Sequence, residues 1–162
     1  MMELTDKEIA EYLHRCYTAA DGLWFVKVEE KYGFDIALDI DKEVWKIMPK
    51  IQSRFLKNKL RKDRGLDALL ECFSVKLKLD GFEFKTEKIN DNKIKITINS
   101  CPWHNIIVNS SRSGLSEKVG SSICNTEYSV WAKEFGDKIN FKLEDQICKS
   151  SRFCILTFNA NK

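Results

Sequence analysis

Four cysteines in the last third of the chain, Cys101, Cys124, Cys148 and Cys154, are the residues best suited to chemistry. They are separated by 22, 23 and 5 residues. Four sulfurs are the donor set of tetrahedral Zn²⁺ or of an iron–sulfur cluster. A closed four-thiolate shell leaves no open coordination position, so such a zinc is structural and its binding energy is folding energy. CxxC knuckles are absent, so the ligands would be delivered by a folded α/β unit rather than a zinc finger. Two other readings of the same cysteines stay open: buried apolar core residues, and a reactive thiol. Cys16 and Cys72 lie in the helical half and read as core.

Trp103 and His104 directly follow the first of these cysteines. His104 is a candidate ligand in place of a thiolate, or a general base beside a pocket; the bland alternative is a loop histidine with a backbone hydrogen bond. Asp21-Gly22-Leu23-Trp24-Phe25 sets one acid beside two large aromatics. That mixture lines ligand pockets, so Asp21, Trp24, Phe25, Trp103 and His104 are candidate ligand-binding residues. Core packing of the same aromatics is the competing reading, and Trp45 and Trp131 divide in the same way. Asp21 and Glu127 are weak candidates for acid–base partners of His104. His14 reads as a surface residue. Arg54, Lys57, Lys59, Arg61, Lys62 and Arg64 form a basic cluster that complements a helix C-terminus. No phosphate-binding glycine loop, dinucleotide fingerprint or nucleophile elbow is present.

The elements that position these residues follow from periodicity. Thr5-Asp6-Lys7-Glu8 is a capping box that starts a helix. That helix is expected to bend at Ala19–Gly22, resume with Leu23, Trp24, Val26 and Val28, and end at Gly33. A long helix is expected from about Lys42 to Arg64, kinked or split by Pro49. A short one follows over Leu66–Val75. From Leu79 onward the pattern alternates. Phe82, Phe84 and Thr86, then Ile94, Ile96 and Ile98, flank the turn Asn90-Asp91-Asn92 and predict a hairpin. Leu115–Phe135 returns to helical spacing. Ile139, Phe141 and Leu143, then Phe153, Ile155 and Phe158, predict a second hairpin around Lys149-Ser150-Ser151. The fold class is therefore α+β: an N-terminal helical layer packed on a C-terminal ββαββ antiparallel unit. The expectation is a single domain over 1–162, with the helical layer at 1–78 and the cysteine-bearing half at 79–162.

Composition narrows the function classes. Hydrophobic residues make up 43% and charged residues 31%, values of an ordinary globular chain. The net charge of +3 makes no case for a nucleic-acid partner. No apolar run is long enough to span a membrane, and the N-terminus lacks the pattern of a secretory signal. A cytoplasmic location is expected, where six cysteines serve as core residues, metal ligands or reactive thiols.

The spacing of Cys101, Cys124, Cys148 and Cys154 resembles that of 4-vinyl reductase-type domains. Those are small α/β modules that sense hydrophobic small molecules, many with a zinc site built from an acidic residue and three cysteines. Cys101 stands where those sensors carry the acid, which makes the shell all-thiolate. Ala20–Phe25, Gly33, Val44-Trp45, Cys101-Pro102-Trp103 and Ile123-Cys124 are together similar to a group of mostly uncharacterised microbial proteins. That group lies near the 2-amino-thiazoline-4-carboxylate hydrolase-like family. The resemblance implies a zinc-stapled domain that binds a hydrophobic small molecule. Its rival is a small-ring amide or amidine hydrolase using His104 with Asp21 or Glu127. A third reading is an interaction module that forms a homodimer through its helices.

Overall fold

Thr5 opens the first helix as expected. The Glu8 N–H donates to Thr5 Oγ1 at 3.3 Å and the Thr5 N–H donates to Glu8 Oε2 at 2.8 Å. The computed structural model describes residues 3–161, apart from the side chain of Ser113. Helix α1 (Asp6–Tyr32) runs unbroken through Gly22. The expected bend is absent because one glycine costs a helix only about 1 kcal/mol, which its alanine and leucine neighbours absorb. Gly33, at φ +89°, ends α1 and donates to the Glu29 carbonyl at 2.8 Å.

Two helices replace the single long one expected over 42–64: α2 (Phe34–Trp45) and α3 (Met48–Leu60). Pro49 sits in the first turn of α3, where its missing N–H costs nothing, so it splits the pattern rather than kinking it. Phe34–Asp41 was not foreseen as helical. Helix α4 (Leu66–Leu79) extends one turn beyond the expected Val75.

Strands β1 (Glu83–Asn90) and β2 (Lys93–Ser100) form the first hairpin. The connection to α6 (Ser113–Phe135) holds another helix, α5 (Pro102–Asn109). The expected ββαββ order is therefore corrected to ββααββ. Pro102 opens α5 in its first turn, where its fixed φ and missing N–H suit a helix start. Strands β3 (Ile139–Asp145) and β4 (Cys154–Ala160) complete the sheet, joined through a 3-10 turn at Ile147–Lys149. The strand order is β1-β2-β4-β3, all antiparallel, so the return strands of the two hairpins meet in the centre.

Residue contacts divide the chain into two compact units, Met1–Asp41 and Lys42–Lys162. In the first, α1 and the start of α2 join through an edge-to-face pair of Phe25 and Phe34, 6.1 Å between centroids. In the second, α3, α4, α5 and α6 accompany the sheet. Ile94, Ile96 and Ile98 alternate inward on β2, opposite Phe158, Leu156 and Cys154. They pack with Leu69, Phe73 and Leu77 of α4 and with Trp131 and Phe135 of α6, all essentially closed to solvent. Trp131 stacks on Phe135 and meets Phe73 edge-on, so it is core rather than cavity lining. Strand β1 is a largely exposed sheet edge.

Candidate functional site

The sheet unit gathers the four cysteines from four places in the chain. The register sets Cys154, the first residue of β4, opposite Ile98 of β2. Three residues beyond Ile98, Cys101 is the N-cap of α5. Cys148 lies in the 3-10 turn, which Gln146 ties to α6 by donating from Nε2 to the Gly120 carbonyl at 3.2 Å. Cys124 stands one helical turn after Gly120. The fit between turn and helix is tight. A Cβ on Gly120 would stand 2.9 Å from Cys148 Sγ. Glycine is required here for close approach, not for its backbone freedom.

All six cysteines are unpaired thiols, and these four are each half-buried. Burial pushes all four thiols above their ordinary range, Cys124 furthest and Cys154 to about 11. Behind burial, on Cys124, comes the field of Glu127 and then of the other three cysteines. The four sulfurs thus lie within one another's electrostatic reach. Backbone N–H groups pull the other way. The Ile147 N–H donates to Cys154 Sγ at 3.2 Å. The His104 and Trp103 N–H groups favour the Cys101 thiolate, although neither closes a cap hydrogen bond on it. Among the described residues, no group of three or more His, Cys, Asp or Glu side chains is drawn together tightly enough to hold a metal ion.

A buried charge network lies beside the thiols. Lys76 of α4, only 3% exposed, pairs through Nζ with Glu127 Oε1 at 2.5 Å and Asp80 Oδ2 at 3.1 Å. The rings of Phe82, Tyr128 and Phe73 surround its ammonium at 5.3, 5.6 and 5.7 Å. Burial disfavours that ammonium, but the two carboxylates outweigh it and hold the pKa above its ordinary value. Sequence reading named Glu127 and missed Lys76 and Asp80. The signal was there: Lys76 follows Cys72 and Phe73 at helical spacing, which places a lysine on the buried face of α4.

The remaining candidates separate by unit. Trp103 and His104 lie on α5, in a helix rather than the expected loop. Trp103 meets Trp45 edge-to-face at 6.2 Å. His104 Nδ1 and Ser116 Oγ are 2.8 Å apart, and Ser116 is buried, so the imidazole is held in one orientation. Asp21, Trp24 and Phe25 lie on one turn of α1, in the first unit. Burial pushes the Asp21 carboxyl to about 6; Phe25 is buried, and Trp24 remains 39% exposed. Three of the six residues of the basic cluster make polar contacts within the fold. Arg54 donates to both carboxylate oxygens of Glu134, Lys57 donates to the Glu134 carbonyl and Lys62 pairs with Glu71.

A family model, described as a family of unknown function (DUF6125), matches residues 4–159. The chain belongs to this family. The match takes in all four cysteines and the Lys76 network, so both features fall inside the DUF6125 domain. No curated protein matches the chain. No helix among the described residues of this DUF6125 chain is long and apolar enough to cross a membrane.

Proposed function

We propose that this chain is a cytoplasmic, sensor-like domain that binds a hydrophobic small molecule, and that Cys101, Cys124, Cys148 and Cys154 hold a structural zinc ion. The observation that carries the metal reading is the convergence of four thiols from β4, the 3-10 turn, α6 and the cap of α5. The donor set fits the ion. Four sulfurs complete a tetrahedral shell, and the Ile147, Trp103 and His104 N–H groups favour thiolates at Cys154 and Cys101. A shared divalent cation would offset the burial that otherwise keeps these thiols protonated. Binding would draw the sulfurs to about 2.3 Å from the metal, closer than the present arrangement brings them. An iron–sulfur cluster uses the same ligand number and is the alternative cofactor.

The ligand-binding part rests on the resemblance to 4-vinyl reductase-type domains and on the chemistry of two separate groups: Asp21, Trp24 and Phe25 in the first unit, and Trp103 and His104 in the second. Asp21 supplies a carboxyl whose pKa burial raises to about 6; near neutral pH it is mainly a carboxylate, an acceptor suited to an N–H or O–H on an otherwise apolar molecule. Six unpaired thiols accord with a reducing compartment.

One observation favours the hydrolase reading. Ser116 fixes the orientation of His104, as an orienting group does for a general base. Glu127 is already paired with Lys76, which makes it a poor acid–base partner for His104. Elemental analysis of the purified chain, with its melting curve before and after chelation, tests the metal reading. Zinc at one per chain and a lower melting temperature on removal support it. A metal-free chain with an unchanged melt refutes it. Turnover of a cyclic amide that is lost in folded His104→Ala would replace the sensor reading with the hydrolase.

A further inference from the structure

Cys148 differs in setting from its three neighbours. It lies in the three-residue 3-10 turn Ile147–Lys149; the two residues after Cys148, Lys149 and Ser150, are exposed, and the exit at Ser150 has φ +66°. The turn is closed by its own hydrogen bonds to the Gln146 and Ile147 carbonyls, not by the sheet. Cys154 is its nearest partner along the chain. The sulfur of Cys154 accepts from the N–H of Ile147, the residue before Cys148, at 3.2 Å. Cys101 and Cys124 are instead fixed to helices.

We propose that Cys148 is a peroxide-responsive modification site and that Cys154 resolves it, so that oxidation dismantles the thiolate centre. The inference rests on the four-thiolate reading given above. The Cys148 thiolate attacks one oxygen of hydrogen peroxide. An S–O bond forms, the O–O bond breaks and hydroxide leaves, giving the sulfenic acid. The Cys154 thiolate then attacks that sulfur. The S–S bond forms, the S–O bond breaks and a second hydroxide leaves. Two sulfurs have lost two electrons in total, and both peroxide oxygens end as water after protonation by solvent. The centre has then lost two of its four donors. Cys101, Cys124 and Cys154 pack against the buried sheet core, and Cys148 in its turn does not, so Cys148 can move while Ile94, Ile96, Leu156 and Phe158 stay closed. A dithiol reductant reverses it by exchange.

The test uses the full chain in a Cys16→Ser background, because Cys16 is exposed and would react on its own. Zinc content is measured first. One equivalent of hydrogen peroxide is then added, and zinc release, intact mass and the disulfide map are read together. The expected result is loss of the bound zinc, loss of two hydrogens in mass, a Cys148–Cys154 bond and full reversal by dithiothreitol. Cys154→Ser is expected to stop at the sulfenic acid, which a dimedone adduct on Cys148 reports. A zinc-bearing chain that forms no Cys148–Cys154 bond overturns this inference and leaves the zinc reading standing. A chain purified under reducing conditions without metal overturns both.

Discussion

Replacing Gly120 with alanine separates two effects of opposite sign. Gly120 lies inside α6, and its φ is not positive, so an alanine fits the backbone. Helix propensity alone then predicts a gain of about 1 kcal/mol. The new methyl would, however, stand 2.9 Å from Cys148 Sγ and 3.6 Å from Cys148 Cβ. Favourable contacts between heavy atoms of this kind begin near 3.5 Å, so the sulfur or the turn must move by about 0.5 Å or more. The clash cannot be relieved by swinging a long side chain, because cysteine has only one rotatable side-chain bond before sulfur. Overpacking of this kind costs about 1–3 kcal/mol, so the gain expected from helix propensity is cancelled and the net prediction is a loss of up to about 2 kcal/mol. That corresponds to a fall in melting temperature of up to roughly 8 °C for a chain of this size. Chemical denaturation and calorimetry read the change, and metal content reads the displacement of Cys148. Gly22→Ala is the control: it lies inside α1 with nothing within 4 Å of the new Cβ, and should stabilise by about 0.5–1 kcal/mol. If Gly120→Ala gains as much stability as Gly22→Ala and keeps the same metal content, the close approach of turn and helix is wrong.

Other perturbations probe the rest of the account. Lys76→Met strands two buried carboxylates and should cost about 3–5 kcal/mol, while Lys76→Met with Glu127→Gln and Asp80→Asn should recover most of that loss in urea titrations. Asp21 has its folded pKa raised by burial from 3.8 to about 6, so its stability contribution is fully present below pH 3.8 and is lost as pH rises through 6. Asp21→Asn should therefore stabilise by an amount of order 2–3 kcal/mol at pH 7.5 and by much less at pH 4, and equal effects at both would refute the shift. Arg54→Ala removes the two-pronged contact with Glu134 at an exposed site, so a loss above about 1 kcal/mol in denaturant titrations would be unexpected. Chelation should speed amide exchange in α5 and the 3-10 turn first and leave β2 and β4 protected, as exchange mass spectrometry can map.

The strands were readable because their signal is local. Ile94, Ile96 and Ile98 alternate along a strand with one face on the core, and a two-residue turn at Asp91-Asn92 closes the hairpin. The helical half was harder. Gly22 and Pro49 carry opposite lessons, since a glycine inside α1 is tolerated and a proline at the start of α3 belongs there. In Cys-Pro-Trp-His the proline suits a loop and a helix start alike, so α5 has no unambiguous local signal. At the site, the types and spacing of the four cysteines were visible in the chain. Their mutual approach was not, because it depends on the β2–β4 register and on the seat of Cys148 against Gly120. The Lys76–Glu127 pair joins residues 51 positions apart, so no local pattern announces it.

Native mass spectrometry of the chain, purified without added metal or chelator, tests the central claim most directly. The account predicts one zinc ion per chain with all six cysteines reduced, and loss of that ion from Cys101→Ser and from Cys124→Ser. A folded chain that carries no metal, with both serine variants melting as the parent does, would contradict it.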